Sequence, residues 1–174
     1  MLTDKRITEA KDNVRAYLSD GLLTKAAFDK QVFNILEQNA NESLSVAEIL
    51  YNGKHSWLWV IVTSYYSMYY IANAVLYKKG YKVGEKISHK VTADSLIALV
   101  RDKLKESLIE EYEEMQKEAL AGIKADELIQ SFDYEREKRS IFQYRTNESA
   151  KEAKAKTSFE RAKEFVAEMK KLVA

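Results

Sequence analysis

The run from Trp57 to Tyr77, WLWVIVTSYYSMYYIANAVLY, contains no charged residue over 21 positions. As a helix it would be about 31 Å long, which is enough to span the hydrocarbon core of a membrane. The run also contains five tyrosines, two serines, a threonine and an asparagine, whose polar groups need hydrogen-bond partners that lipid does not supply. A helix that is apolar on nearly all sides is otherwise typical of the centre of a helical bundle. We therefore expect a buried central helix, and no membrane span.

The segments before this run favour helices with few breaks. The chain has no proline and only five glycines, a composition that argues against many short strands joined by turns. Apolar residues recur at helical spacing in the first 20 residues, and Gly21 suits the end of that helix. Thr24 is predicted to cap a second helix, and Asn41 a short third helix that ends at Gly53.

The segments after the central run predict further helices. Apolar spacing covers Leu96–Met115 with a break near residue 103, and Gly122 marks the end of that stretch. Another helix is predicted through the arginine-rich segment 136–145, and residues 146–147 begin the last one. The predicted fold is all-α, an up-and-down bundle of four to five main helices around the Tyr-rich central helix, without a sheet.

No internal repeat, low-complexity tract or linker divides the chain. We expect one helical-bundle domain over residues 1–174, in which residues 1–55 supply the N-terminal helices. The absence of cysteine excludes a disulfide framework and a thiolate zinc site, and the N-terminus lacks the apolar core of a signal peptide. These features predict a cytoplasmic protein.

The charge pattern and the missing motifs limit the function classes. The net charge is +1, so no global field recruits nucleic acid, although residues 78–105 hold eight basic and three acidic side chains. The acidic residues of segment 106–128 are predicted to form a solvated helix face. No Gly-rich phosphate loop, calcium loop or paired histidine motif is present, and His55 and His89 stand 34 residues apart. We expect no metal and no cofactor.

The arginine-rich segment has a regular spacing. On a helix, Arg136, Arg139 and Gln143 follow i, i+3, i+7 and share one face, whereas Tyr144 lies about 140° around the axis from Arg139. An arginine presents a fixed fork of donors that fits a phosphate. A two-fold axis along this stripe would place four arginines and two glutamines in one groove. The spacing therefore predicts a phosphate-binding surface shared by two copies of the chain.

Simpler structural explanations stay open for the same residues. The arginines can form ordinary surface pairs with Asp133, Glu135 and Glu137. His89 can be a helix cap or a solvated loop residue. The tyrosines of the central run can be core packing, or else an aromatic wall for a nucleotide base. These are Tyr65, Tyr66, Tyr69 and Tyr70.

The order of the motifs resembles that of the HEPN family. In that pattern a helix rich in Tyr and Ala ends in Lys-Gly, a loop with Ser-His-Lys follows, and a late helix carries Arg-x4-Tyr or Arg-x4-to-6-His. Here Lys79-Gly80, Ser88-His89-Lys90, and Arg139 with Tyr144 stand in that order, and the helix containing 162–166 matches the last element. The resemblance covers residues 56–174. It implies a bundle of four or five helices, an isologous dimer, and a possible small nucleotidyltransferase partner in a toxin–antitoxin-like system.

Many members of the family are metal-independent ribonucleases in which the Arg and His of the signature act on a phosphodiester. In this chain Tyr144, Arg145 and Thr146 stand five to seven residues beyond Arg139, and none is a histidine. A tyrosine with a pKa near 10 is a poor general base at pH 7, although His89 offers an imidazole from another element. The predicted catalytic residues are Arg139, His89 and Tyr144, and the predicted phosphate- or nucleotide-binding residues are Arg136, Arg139, Gln143, Tyr144 and Arg145.

The leading functional hypothesis is a homodimer that binds a nucleotide or RNA and hydrolyses it weakly or not at all. The first alternative is an active metal-independent ribonuclease. The second is a plain helical interaction module without a ligand.

Overall fold

A computed structural model describes residues 2–131 and 148–173, and the side chains of residues 2–124 and 151–173. Of the described residues, 79% are helical. The helices are α1 (Asp4–Ser19), α2 (Lys30–Asn52), α3 (Trp57–Lys78), α4 (Ser88–Leu99), α5 (Glu106–Ser131) and α6 (Glu148–Lys171), with a 3₁₀ turn at Arg101–Lys103. Two short strands, β1 (Leu23–Lys25) and β2 (Tyr81–Val83), complete the described elements. The all-α bundle predicted from the sequence is confirmed.

Helix α3 is the centre of the bundle, as its uncharged sequence predicts. Fourteen of its 22 residues are buried, and it packs against α2, α4, α5 and α6. Ser56 caps its start by accepting a hydrogen bond from the backbone N–H of Trp59. A helix surrounded by four others buries most of its surface, so apolar residues are needed on more than one of its faces. Across the described ranges, no helix is both long and apolar enough to cross a membrane.

Several polar groups of α3 find partners within the protein, although the hydroxyl of the buried Ser64 has none among the described residues. The Asn73 side chain donates to the carbonyl of Tyr69 at 2.8 Å and meets the hydroxyl of Thr92 in α4 at 3.3 Å. The hydroxyl of Tyr77 donates to the backbone carbonyl of Ala27 at 3.1 Å. Buried polar groups are tolerated when they are hydrogen-bonded, which explains how this helix can be central and still carry them.

Helix α2 differs from the two helices predicted for its segment. Asp29 caps it, instead of Thr24, and it continues through Asn41 to end at the predicted Gly53. The Asn41 side chain lies in the middle of this helix, where it accepts a hydrogen bond from Lys170 of α6 at 2.6 Å. A residue that is favourable as a cap is thus used here within the helix and in a tertiary contact.

The prediction that the chain contains no sheet is wrong. Strands β1 and β2 pair antiparallel, with Leu23 opposite Val83 and Lys25 opposite Tyr81. They are the connections after α1 and after α3, and Leu23 is fully buried between them and the helices. Three-residue strands carry too little periodicity to be recognised, and their pairing depends on the helices that bring the two connections together.

Gly122 does not end a helix either. Helix α5 runs through it to Ser131. A Cβ atom at this glycine would come within 2.5 Å of Leu58 Cδ1 in α3, so the missing side chain allows close helix packing. The predicted break near residue 103 is present as the 3₁₀ turn between α4 and α5. The helix predicted over 136–145 lies outside the described residues.

Candidate functional site

His89 is the second residue of α4 and is half-buried. It is therefore neither a helix cap nor a solvated loop residue. Helix α4 packs against α3, and the contact brings His89 Nδ1 to 2.7 Å from the hydroxyl of Tyr65. The residue before the helix, Ile87, adopts the left-handed backbone conformation (φ 45°, ψ 30°), which is unusual for a β-branched residue. This turn directs the chain from β2 into α4 and so places His89 against α3.

Tyrosines of α3 surround the imidazole. The ring centroid of His89 lies 5.5 Å from that of Tyr65, 5.8 Å from Tyr66 and 4.6 Å from Tyr69. Tyr70 extends the group, with its centroid 5.5 Å from that of Tyr69. We refer to these four tyrosines and His89 as the tyrosine–histidine cluster. Tyr65 is fully buried, whereas the other three tyrosines are partly exposed and pack against the core. A role of these rings as a wall for a nucleotide base stays a prediction.

Burial keeps His89, Tyr65 and Tyr66 neutral near pH 7. It lowers the pKa of His89 below its ordinary value of 6.5. It raises the pKa of Tyr65 and of Tyr66 above the ordinary value of 10.0. Burial also holds the pKa of Tyr112, which lies behind Tyr65 in α5 with a ring-centroid distance of 5.8 Å, well above its usual range. The cluster can therefore offer hydrogen bonds and ring faces, but little charge of its own.

The lowered pKa of His89 predicts a pH dependence of stability. The unfolded chain takes up a proton on this histidine near its ordinary pKa of 6.5, whereas the folded protein takes it up only at lower pH. The contribution to stability is thus fully present above 6.5 and is lost as the pH falls from there through the lowered pKa. Denaturant unfolding of the wild type and of His89→Gln, between about pH 7.5 and 5, should show a steeper loss for the wild type. Because His55 is present in both proteins, equal slopes would contradict the assignment.

Three lysines close to His89 in the sequence supply positive charge. Lys82, Lys86 and Lys90 are exposed. Within the described ranges, none of the three forms an ion pair with a carboxylate. Unpaired lysines close in sequence to a half-buried imidazole favour an anionic ligand over a cationic one.

The structure also contains a buried ionic contact that the sequence did not reveal. Asp94 of α4 is fully buried, and its carboxylate lies 2.7 Å from the Arg6 guanidinium of α1. Tyr17 and Asn13, also of α1, donate hydrogen bonds to its Oδ2 at 2.7 and 3.0 Å. The sequence feature that could have indicated this contact is the single acidic residue within Val91–Ile97. The structure buries all seven of these residues. The contact fixes α4, and with it His89, from the side opposite α3.

The acidic face of α5 is not simply solvated. Arg6 donates to Glu113 at 2.7 Å, and Arg161 of α6 donates to Glu114 at 2.9 Å. Among the described residues, no group of three or more His, Asp or Glu side chains is placed to hold a metal ion. The carboxylates of α5 therefore hold α1 and α6 in place.

The predicted phosphate-binding surface lies outside the part of the chain that the structure describes. All five of its members lie outside the described residues, and so does any distance between Arg139 and His89. The residues concerned are Arg136, Arg139, Gln143, Tyr144 and Arg145. Their roles stay predictions from the sequence.

Comparison with known proteins gives one result. The model of the HEPN domain matches residues 34–172. No curated protein and no solved structure matches significantly. The matched region begins inside α2 and includes α3, the tyrosine–histidine cluster and α6. Since it covers well over half of the chain, the protein belongs to the HEPN family.

Proposed function

We propose that this protein is a dimeric HEPN protein that binds RNA or a nucleotide, with Arg139 as the main phosphate contact. The observation that carries the proposal is the tyrosine–histidine cluster. Partly exposed tyrosines offer faces on which a base can stack, and a neutral imidazole can meet a phosphate or a base edge. The exposed lysines that are close to His89 in the sequence add positive charge. The arginine spacing of the segment 136–145 supports the phosphate contact.

The proposal includes a two-fold dimer whose interface contains the segment 136–144. Two copies would bring their arginine stripes together, which gives each phosphate more donors than one chain offers. A toxin–antitoxin-like setting with a small nucleotidyltransferase partner follows from the family resemblance. Light scattering should give about twice the 20.1 kDa mass of the chain. A monomer at high concentration would reject the dimer.

Replacing Arg139 with alanine should weaken RNA binding by about 1.5–3 kcal/mol, the usual contribution of a hydrogen bond to a charged group. Fluorescence anisotropy with a short labelled oligoribonucleotide measures the effect. Arg15→Ala is the matched control, because Arg15 is an exposed arginine whose pair with Asp12 is also exposed. Raising the salt concentration should weaken wild-type binding and have less effect on Arg139→Ala. If the two variants bind equally well, Arg139 is not the phosphate contact.

A metal-independent ribonuclease is the second candidate. It is favoured by one observation, that His89 is neutral near pH 7, which a general base must be. Under this hypothesis, cleavage of RNA in the presence of a chelator would be lost in both His89→Ala and Arg139→Ala. Absence of cleavage by the wild type, together with retained RNA binding, would favour the binding protein.

A further inference from the structure

The two short strands draw two connections of the chain together at one end of the bundle. Residues 20–30 lead from α1 into α2, and residues 78–90 run from the last residue of α3 to the third residue of α4. Besides the pairing of β1 with β2, the backbone N–H of Ala26 donates to the carbonyl of Gly80 at 3.0 Å. The side chains of β1, β2 and the adjoining helix ends therefore share this end of the bundle.

These two segments are rich in lysines without an acidic partner. They hold seven lysines and three acidic residues, a net charge of +4, in a chain whose total net charge is +1. All seven lysines are exposed, and within the described ranges none of them forms an ion pair with a carboxylate. We refer to the five that lie on the two strands or at the adjoining helix ends as the lysine surface. They are Lys25, Lys30, Lys78, Lys79 and Lys82.

Aromatic rings hold two of these ammonium groups in place. Lys25 Nζ lies 3.6 Å from the ring centroid of Tyr81, which is its partner across the strands. Lys78 Nζ lies 5.1 Å from the ring centroid of Phe28. A ring face attracts an ammonium group but does not neutralise its charge. Both side chains are thus packed while their charge remains without a counter-ion from the described part of the chain.

The ordinary structural roles of lysine account for only part of this surface. The helix dipole stabilises a cation at the last residue of a helix, which explains Lys78. Lys30 has the opposite position, as the first residue of α2, where the dipole disfavours a cation, and the Asp29 carboxylate beside it accepts backbone N–H groups. Lysines on exposed strands hinder pairing between molecules, which explains Lys25 and Lys82 one by one. None of these roles requires five like charges at one end, where they repel one another.

We propose that the lysine surface binds the phosphate backbone of a single RNA strand whose bases reach the tyrosine–histidine cluster. The proposal rests on the proposed function for the choice of RNA. Proteins that bind single strands combine positive charge along the backbone with aromatic rings on which bases stack, and this chain has both features. Lys86 and Lys90, on either side of His89 in the sequence, continue the positive charge from β2 to the cluster.

The distribution of the lysines favours a strand over a single nucleotide. A nucleotide carries its phosphates on one sugar, whereas the lysine surface draws its charges from two strands and from the ends of two helices. Such a spread matches successive phosphates of a strand. The ligand that the proposed function leaves open between RNA and a nucleotide is therefore RNA.

An anionic membrane is the other polyanion that this charge fits. Membrane-binding surfaces of this kind also insert apolar side chains into the lipid. The large apolar side chains exposed in the two segments are Phe28 and Ile87. The Phe28 ring packs against those of Phe33 and Tyr77, at centroid distances of 5.8 and 6.2 Å. That packing leaves one aliphatic side chain to enter the lipid, so RNA is favoured.

The salt dependence of RNA binding tests the lysine surface. A triple variant, Lys25→Gln, Lys78→Gln and Lys82→Gln, removes three of its charges and keeps side chains of similar length. Each phosphate contact with a single strand adds about 0.7 to the steepness with which log affinity falls against log salt concentration, so the variant should be shallower by about 2. Fluorescence anisotropy with a labelled oligouridylate of about twelve nucleotides measures both affinities.

The matched control makes the same change in net charge elsewhere. Lys5, Lys103 and Lys117 are exposed, and in the described part of the chain none of them forms an ion pair with a carboxylate. Replacing these three with glutamine should leave the slope close to that of the wild type. Equal slopes in the two triple variants would overturn the proposal. Lys82 has no ring contact among the described residues, so Lys82→Gln alone tests the surface without disturbing packing and should lower the slope by about 0.7.

The two proposals can fail separately. RNA binding that is weakened by Arg139→Ala but not by the lysine variants would overturn the lysine surface and support the proposed function. Binding that depends on the lysines but not on Arg139 would support the lysine surface and reject Arg139 as the main phosphate contact. Equal affinity for uridine monophosphate and for the oligouridylate would overturn the choice of a strand. Wild-type protein that binds vesicles of phosphatidylcholine with phosphatidylserine, but no RNA, would assign the lysines to a membrane and overturn the proposal.

Discussion

Replacing Arg6 with methionine should lower the free energy of unfolding by about 3 kcal/mol. Arg6 is the cationic partner of Asp94, whose side chain is fully buried, at an N–O distance of 2.7 Å. Methionine keeps much of the aliphatic volume but removes the charge, so the carboxylate stays buried with only neutral partners. The hydrogen bonds from Tyr17 and Asn13 remain, and for this reason we place the loss at the low end of the range for broken buried pairs.

Urea unfolding measures this loss, and Arg15→Met is the matched control. Arg15 lies on the same helix, but its pair with Asp12 is exposed, so its removal should cost less than about 1 kcal/mol. The double variant Arg6→Met with Asp94→Asn removes both charges and should recover much of the stability. If Arg6→Met costs no more than the control, the Asp94 carboxylate is not held by this pair.

Replacing Phe165 with alanine should lower the free energy of unfolding by about 3–5 kcal/mol, the usual cost of deleting a buried aromatic ring. Phe165 of α6 is fully buried, and its ring stacks on that of Tyr112 at a centroid distance of 5.4 Å. Tyr112 in turn contacts Tyr65, so the cavity would open behind Tyr112, one ring away from the tyrosine–histidine cluster. Urea unfolding measures the stability, and the NMR signals of the His89 imidazole report whether its contact with Tyr65 changes.

Phe28→Ala is the control for this variant, because the same atoms are deleted from a side chain that is 49% exposed. Its loss should be clearly smaller, since part of the ring is already in water and the site can refill with solvent. A loss in Phe165→Ala that is no larger than in Phe28→Ala would mean that α6 is not packed on α5 as described.

The central helix could be predicted from the sequence because its uncharged run is long and leaves no charged face. An uncharged run of 21 residues cannot lie on the surface of a bundle without exposing a large apolar area, so burial follows from composition alone. At Asn41 and Gly122 the predicted helix ends were wrong for the opposite reason. Each carries a short-range signal, and each is used in a contact with a distant helix, Lys170 in one case and Leu58 in the other.

The candidate site was predictable only in its residue types. His89 and the tyrosines of α3 could be named from the sequence, but their pairing depends on how α4 crosses α3. Asp94 was missed because a carboxylate within an apolar stretch is usually a solvated residue, and its partners in α1 are 77 or more positions away along the chain. Contacts of that range follow from the packing of whole helices and leave no local pattern.

The position of α1 has a consequence for how this protein can be divided. Similarity to the family begins at residue 34, yet the positive charge that balances Asp94 comes from Arg6. A fragment trimmed to the matched residues would keep the Asp94 carboxylate and lose its three partners in α1. The helix that bears His89 would then carry an unpaired charge that must be hydrated. The stretch that matches the family, residues 34–172, is therefore shorter than the stretch needed to pair the buried charge of Asp94, which includes Arg6.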